Sequence, residues 1–376
     1  MKEKVLVTGG AGFIGSFIVD ELARRGHQVR ILDNLEPQVH GTGGRAPEYL
    51  NADAEFINGD IRDEETLRRA LDGVDVLFHK AAMVGVGQSM YQIRRYTDVN
   101  TMGAATLLDV IAEGKNSVKK MIVASSMSIY GEGKYECGDC GVIYPRLRPP
   151  EQLREGRWDM GCPYCGKTAD PMPTDEDKPL YPTSIYAVNK RDHEEMFLAV
   201  GVAYKIPTVA LRYFNVYGPR QALSNPYTGV CAIFSGRLLN WKSPVIYEDG
   251  LQSRDFVHVK DIVQANMLAM EKKEADYGIF NVGSGKALTI LDIARVLAEK
   301  VAPDAGIEPE IVNKFREGDI RHCYGDISRI RSSLGYEPTV PFEKGIDELT
   351  MWVRAQVAED GFDEARKELE QRGLTT

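Results

Sequence analysis

The sequence predicts an α/β fold: a doubly wound parallel sheet followed by a smaller C-terminal α/β lobe. Three observations predict it. The chain opens with a strand, a glycine-rich turn and a helix. Apolar strands then alternate with helices for some 200 residues. Residues with useful chemistry stand just after the ends of those strands.

Residues 4–7 (KVLV) form a short buried strand that runs into Thr8-Gly9-Gly10-Ala11-Gly12-Phe13-Ile14-Gly15. Phe13, Ile14, Phe17, Ile18 and Leu22 then recur at helical spacing. This is the context a Rossmann dinucleotide fingerprint requires. Gly9 permits the tight turn, Gly12 lets backbone approach a pyrophosphate, and Gly15 lets the helix pack on the strand. The helix N-terminus faces the phosphates. A second strand, 28–32, ends in Asp33, 18 positions after Gly15. A carboxylate there holds ribose hydroxyls and repels a 2′-phosphate, so NAD is favoured over NADP. Residues 56–61 give another strand end, carrying Asp60. A helix over 64–71 leads to a strand at 74–79, and a longer helix covers 100–111. An apolar strand at 120–125 precedes the helix bearing Tyr186, which leads to a strand at 208–212. Ligands of such sheets bind outside the carboxyl ends of the strands, where Gly12, Asp33, Asp60, the 81–83 loop and Ser126 all fall.

Ser126 in V-A-S-S-M-S-I-Y-G, with Tyr186 and Lys190 in Y-A-V-N-K, forms a candidate redox site. Tyr186 and Lys190 are four apart and share a helix face. The ammonium is expected to favour the phenolate, pulling Tyr186 below its free value of about 10. The Ser126 hydroxyl can bond the same substrate oxygen. Such a set removes a proton from a carbinol while a nicotinamide takes the hydride.

Length and composition narrow the class. The 376 residues suffice for about two domains, and 43% hydrophobic and 27% charged residues are ordinary for a globular protein. A net charge of −9 argues against a nucleic-acid surface. No apolar run reaches transmembrane length. The first strand starts at once, so no signal peptide is expected, and a cytoplasmic location follows. Residues 359–376 are densely charged and read as a solvated helix.

These motifs, in this order, resemble the extended short-chain dehydrogenase/reductase family in its nucleotide-sugar epimerase/dehydratase branch. Alongside the glycine turn stand L-D-N at 32–34, G-D-I at 59–61, D-V-N at 98–100, S-I-Y-G, Y-x-x-x-K, L-R-Y-F-N-V-Y-G-P-R at 211–220 and S-R-D-F-V-H at 253–258. The resemblance implies that Asp60 and Ile61 hold the adenine and that Asn100 helps position the cofactor. Phe13, Ile14, Asn34, Ala81, Ala82 and Tyr213 would line the cofactor with the triad's Tyr186 and Lys190. Asn215 would contact the sugar nucleotide, beside Met83, Ser126, Met127 and Arg220. Arg254 and Arg321, the latter in R-E-G-D-I-R-H, would grip its diphosphate, since guanidinium forks match phosphate oxygens. Lys80 departs from the family's usual apolar residue, leaving two roles open: a phosphate contact or a snorkelling side chain. The branch habit is a homodimer formed through the helices following Asn100 and Tyr186.

A 4,6-dehydratase of this branch typically has Asp-Glu directly after the serine or threonine. Here Met127 and Ser128 stand there, and neither runs acid–base elimination near neutral pH. A 3,5-epimerase would want a Cys/Lys pair for carbanion chemistry, but Cys231 and Cys323 lie far along the chain and read as small core residues. What remains is an isomerase: NAD-dependent 4-epimerisation of a dTDP- or UDP-sugar, with dTDP-L-rhamnose 4-epimerase-like and UDP-glucose 4-epimerase-like members as the nearest resemblance. The competing readings are a reductase or dehydrogenase with net redox and a non-catalytic NAD-binding scaffold. Residues 1–218 would form the NAD-binding domain and 219–376 the sugar-nucleotide lobe, with about 250–270 packing back on the former.

An insert at 135–172 interrupts the first domain. It carries Cys137-Gly-Asp-Cys140-Gly and Cys162-Pro-Tyr-Cys165-Gly, two C-x-x-C-G knuckles 21 residues apart. This is a zinc-ribbon pattern, and four thiolates leave no open catalytic position, so a structural zinc is expected. Starting just after Ser126 and ending before Tyr186, the insert must lie near the mouth of the site. His79 and His193 lack ligand-like partners and read as structural histidines.

Overall fold

The computed structural model describes residues 2–375. Seven parallel strands form the main sheet, in spatial order Ile279–Val282, Thr208–Tyr213, Lys120–Ser126, Val76–His79, Lys4–Thr8, Gln28–Asp33 and Glu55–Asn58. The order reverses between Lys4–Thr8 and Val76–His79, where Thr8 lies opposite both Leu32 and His79. The central strands are apolar along their whole length because both faces are covered. One face packs on helices Phe13–Arg24 and Val259–Glu271, the other on Glu64–Leu71, Gly103–Ala112 and Ile185–Tyr204.

The later lobe has its own core, formed by helices Val230–Leu239, Ile290–Val301 and Phe342–Arg354. A small mixed sheet of Asn215–Tyr217, Ser253–His258, Ala287–Thr289 and His322–Cys323 adjoins it. Ile279–Val282 returns to the main sheet beside Thr208–Tyr213, and Val259–Glu271 lies against Phe13–Arg24. The insert folds as a three-stranded antiparallel sheet, Gly141–Ile143, Lys134–Cys137 and Asp170–Met172, over a small core of Tyr135, Ile143, Met160 and Ala169.

The helix expected from Asn100 begins instead as a π-helical turn, Asp98–Met102, before continuing as Gly103–Ala112. Residues 359–376 also differ from expectation. Phe362, Ala365 and Leu369, one face of helix Phe362–Gln371, are buried against the rest of the protein.

Candidate active site

A single cavity of about 640 Å³ runs from the glycine turn to the second lobe. Its first end is built by backbone. Gly9 has φ +70°, and a Cβ there would stand 2.7 Å from the Ala81 nitrogen. A Cβ on Gly15 would come within 2.1 Å of the Gly9 carbonyl oxygen. Both positions need glycine for close approach. Gly12 caps helix Phe13–Arg24 without a side-chain cap bond, leaving first-turn N–H groups facing the cavity. A Cβ at Gly12 would meet nothing nearer than the Gly9 oxygen at 3.4 Å, so the cradle is open on the side a pyrophosphate would approach. Asp33 ends its strand with its carboxylate accepting from Ala11 N at 3.1 Å and Leu35 N at 2.9 Å. The Arg62 fork, helped by the Asn34 amide, pulls Asp60 down to about 2. Phe13, Ile14, Ile61, Ala81, Ala82 and Met83 line the same end. These residues fit a dinucleotide carrying ribose hydroxyls. Asn100 does not line the cavity. Fully buried, it accepts from Met83 N at 2.8 Å and donates to Met83 O at 3.1 Å, so it acts through the 81–83 loop.

Ser126, Tyr186 and Lys190 meet in the middle of the cavity. Ser126 ends strand Lys120–Ser126, and its Oγ accepts from both the backbone and the hydroxyl of Ser128, at 3.2 and 2.9 Å. Tyr186 sits in the first turn of helix Ile185–Tyr204, whose N-cap Ser184 accepts from Ala187 N at 3.1 Å. Lys190, one turn on, donates to Ala124 O at 3.0 Å. The expected depression of the phenol is not found. Burial pushes Tyr186 up to about 12, with the Ser126 hydroxyl pulling the other way. Burial also drives the Lys190 amine down to about 8. Lys190 is committed to a backbone carbonyl, and desolvation is the dominant influence on the phenol. His193 bonds the Asn100 carbonyl and His79 stacks on Phe197, so both serve the packing beneath the site.

Lys80 lines the cavity. Its Nζ donates to the Tyr213 hydroxyl at 2.9 Å and lies over the Phe78 and Tyr213 rings, and burial holds the amine well below its usual range.

The second-lobe end separates the predicted substrate residues. Asn215 lines the cavity with its buried Oδ1 unpartnered. Arg254 lines it too, fixed by the carbonyls of Ser253, Ile320 and Arg321. Met127 also faces it. Arg321 does not reach the cavity: it is 1% exposed and paired with Glu248, Asp249 and Asp159. Arg220 also turns away, bonding Asp20 at 2.7 Å and stacking over Phe17 and Tyr49. The second guanidinium that lines the cavity with Arg254 is Arg316, the other arginine of R-E-G-D-I-R-H, for which sequence reasoning held no separate expectation. It lines the cavity with its guanidinium 4.1 Å from the Tyr247 ring centroid and its Nε buried without a hydrogen-bond partner. Ala365, Arg366 and Leu369 of the C-terminal helix close this end. The apolar spacing Phe362, Ala365, Leu369 was the available signal.

In the insert, the four thiols of Cys137, Cys140, Cys162 and Cys165 lie within 4.8 Å of one another, and none is in a disulfide. Tetrahedral zinc with bonds of about 2.3 Å would hold sulfurs about 3.8 Å apart, so the donor set fits that ion with little adjustment.

A glycine cradle and a Ser/Tyr/Lys set at the main parallel sheet thus share one cavity with two arginines of the later lobe. The chain belongs to the NAD dependent epimerase/dehydratase family, whose model matches residues 5–146 and 161–283. It is 37% identical over 357 residues to a dTDP-L-rhamnose 4-epimerase of Burkholderia thailandensis, covering 94% of this chain and 96% of that protein. It is 33% identical to a putative UDP-glucose 4-epimerase of Methanocaldococcus jannaschii, covering 93% and 98%. Among solved structures it resembles a UDP-glucose 4-epimerase of Thermotoga maritima with UDP-glucose, with TM-score 0.75, 32% identity and coverage of 93% and 98%. It also resembles the Thermus thermophilus UDP-glucose 4-epimerase complex with NAD, with TM-score 0.73, 31% identity and coverage of 94% and 100%.

Proposed function

We propose that the protein is an NAD-dependent nucleotide-sugar 4-epimerase acting on a dTDP- or UDP-hexose or 6-deoxyhexose. The observation that carries this reading is that Ser126, Tyr186 and Lys190 line one cavity together with Gly9, Gly12, Arg254 and Arg316. The relatives named dTDP-L-rhamnose and UDP-glucose 4-epimerases support it.

The nicotinamide supplies reversible hydride acceptance when bound. The chain's own residues do the rest. Ser126 Oγ orients the sugar 4-hydroxyl and Tyr186 takes its proton. Lys190, one helical turn away, favours the phenolate form of Tyr186, which takes the sugar proton as the hydride leaves and is restored when the phenol gives the proton back on reduction. Arg254 and Arg316 hold the diphosphate while the 4-keto ring turns over to present its other face. Met127 and Ser128 put no acid–base pair beside the ring, so water is not eliminated.

The four cysteines hold a structural zinc in this reading. Met102, Val188 and Val202 are exposed apolar residues at the start or on the surface of helices Gly103–Ala112 and Ile185–Tyr204. They suit a homodimer joined through those helices. Among the described residues no helix is long and apolar enough to cross a membrane, which fits a cytoplasmic enzyme.

Incubation with a panel of dTDP- and UDP-sugars, followed by chromatography and absorbance at the reduced-nicotinamide band, tests the activity. The expected result is an epimer mixture without net reduction of cofactor, absent in Tyr186→Phe. Stoichiometric build-up of reduced cofactor would favour a dehydrogenase.

A further inference from the structure

The insert reaches further into the molecule than its four-cysteine tip requires. Arg148, 4% exposed, leaves the insert and binds both oxygens of Glu248 at 3.0 and 2.8 Å. It also donates to Trp158 O at 2.7 Å, within the insert. Glu248 is 3% exposed and has φ +54°, a left-handed conformation rare outside glycine. Such backbone persists only where the surroundings over-determine it. Glu248 Oε2 also accepts from Arg321 at 3.0 Å, and Arg321 pairs in turn with Asp249 and with Asp159 of the insert.

A second buried carboxylate works in parallel. Glu132, just before the insert, accepts from the backbone N–H groups of Arg321 and His322, both at 2.8 Å, and from the Tyr135 hydroxyl at 2.7 Å. The two segments gripped in this way wall the cavity's second-lobe end. One carries Tyr247 beside Glu248, and the other carries Arg316 six positions before His322. Arg254 hangs from the carbonyls of Ile320 and Arg321 on the second segment.

We propose that Arg148 is a positioning residue for nucleotide recognition. Through its fork on Glu248 it fixes the Tyr247–Glu248 turn and, with Arg321, the segment presenting Arg316 and anchoring Arg254. The insert is thus a brace on the part of the site that binds the nucleoside diphosphate, while the glycine cradle and the triad lie outside its reach. This rests on the assignment of that end of the cavity to the nucleotide.

The test measures binding of UDP and dTDP to the holoenzyme by calorimetry in the wild type, Arg148→Met and the double variant Arg148→Met/Glu248→Gly. The double variant removes both buried charges and relieves the left-handed backbone, so it keeps the test alive if Arg148→Met does not fold. The expected result is at least a tenfold rise in nucleotide Kd and in KM, with kcat within threefold of wild type and NAD and zinc contents unchanged. Nucleotide Kd within twofold of wild type in the variants would overturn the proposal, as would loss of NAD in parallel with nucleotide. Failure of the wild type to bind either nucleotide would instead overturn the assignment of substrate class.

Discussion

Lys190 is the residue on which the chemistry leans, and its burial makes a claim about stability. Its folded value of about 8 lies below the ordinary 10.5, so between these values the unfolded chain binds more protons than the native one. Stability then rises with pH through that window, and the penalty is fully present below pH 8. Lys190→Met should abolish turnover yet stabilise the fold at pH 7 by up to about 3 kcal/mol, with the gain fading by pH 10. Urea unfolding at the two pH values checks this; a gap that does not change with pH would refute it. The triad and the glycines were legible in the sequence because spacing along one strand or helix fixes their geometry. The sign of the Tyr186 shift was not, because it depends on how much water the fold excludes and on where the Lys190 amine finds its hydrogen bond. The two arginines of R-E-G-D-I-R-H show the same limit. Sequence marks the string, but only the position of Glu248, 73 residues earlier, decides that Arg321 is captured and Arg316 is left facing the cavity.

At the scale of elements, the strand–turn–helix at the N-terminus and the helix carrying Tyr186 follow directly from apolar periodicity and turn chemistry. The insert was legible as two cysteine knuckles, while its hold on the second lobe was not, because Arg148–Glu248 spans 100 residues. The account predicts about one zinc ion per chain by elemental analysis. Replacing the four cysteines by serine should remove that zinc and lower the melting temperature, because metal binding is coupled to folding of so small a core. Metal-free protein with an unchanged melting temperature would count against a structural ion. The C-terminal helix was read by charge density as solvated. Its apolar face, Phe362, Ala365 and Leu369, is narrow enough to be outvoted by the charges around it, yet it closes the cavity.

At the scale of the whole molecule, the later part of the chain is interleaved with the first sheet. The return of Ile279–Val282 to the main sheet ties the later lobe to that sheet. A strand of four residues gives little sequence signal of which sheet it joins. In the proposed cycle this interleaving would hold the arginine end of the cavity fixed relative to the triad while the ring turns over. The exposed helices at Met102 and Val202 predict a dimer in sedimentation, which Met102→Glu/Val202→Glu should convert to monomer; an unchanged profile would move the interface elsewhere. The central claim is that the sugar is oxidised and re-reduced at a single carbon within one closed cycle. Turnover of a sugar nucleotide carrying deuterium at C4 tests it most directly. The account predicts that the epimer retains deuterium at C4 and takes up none from heavy water when unlabelled sugar is used; loss of the label to solvent would contradict it.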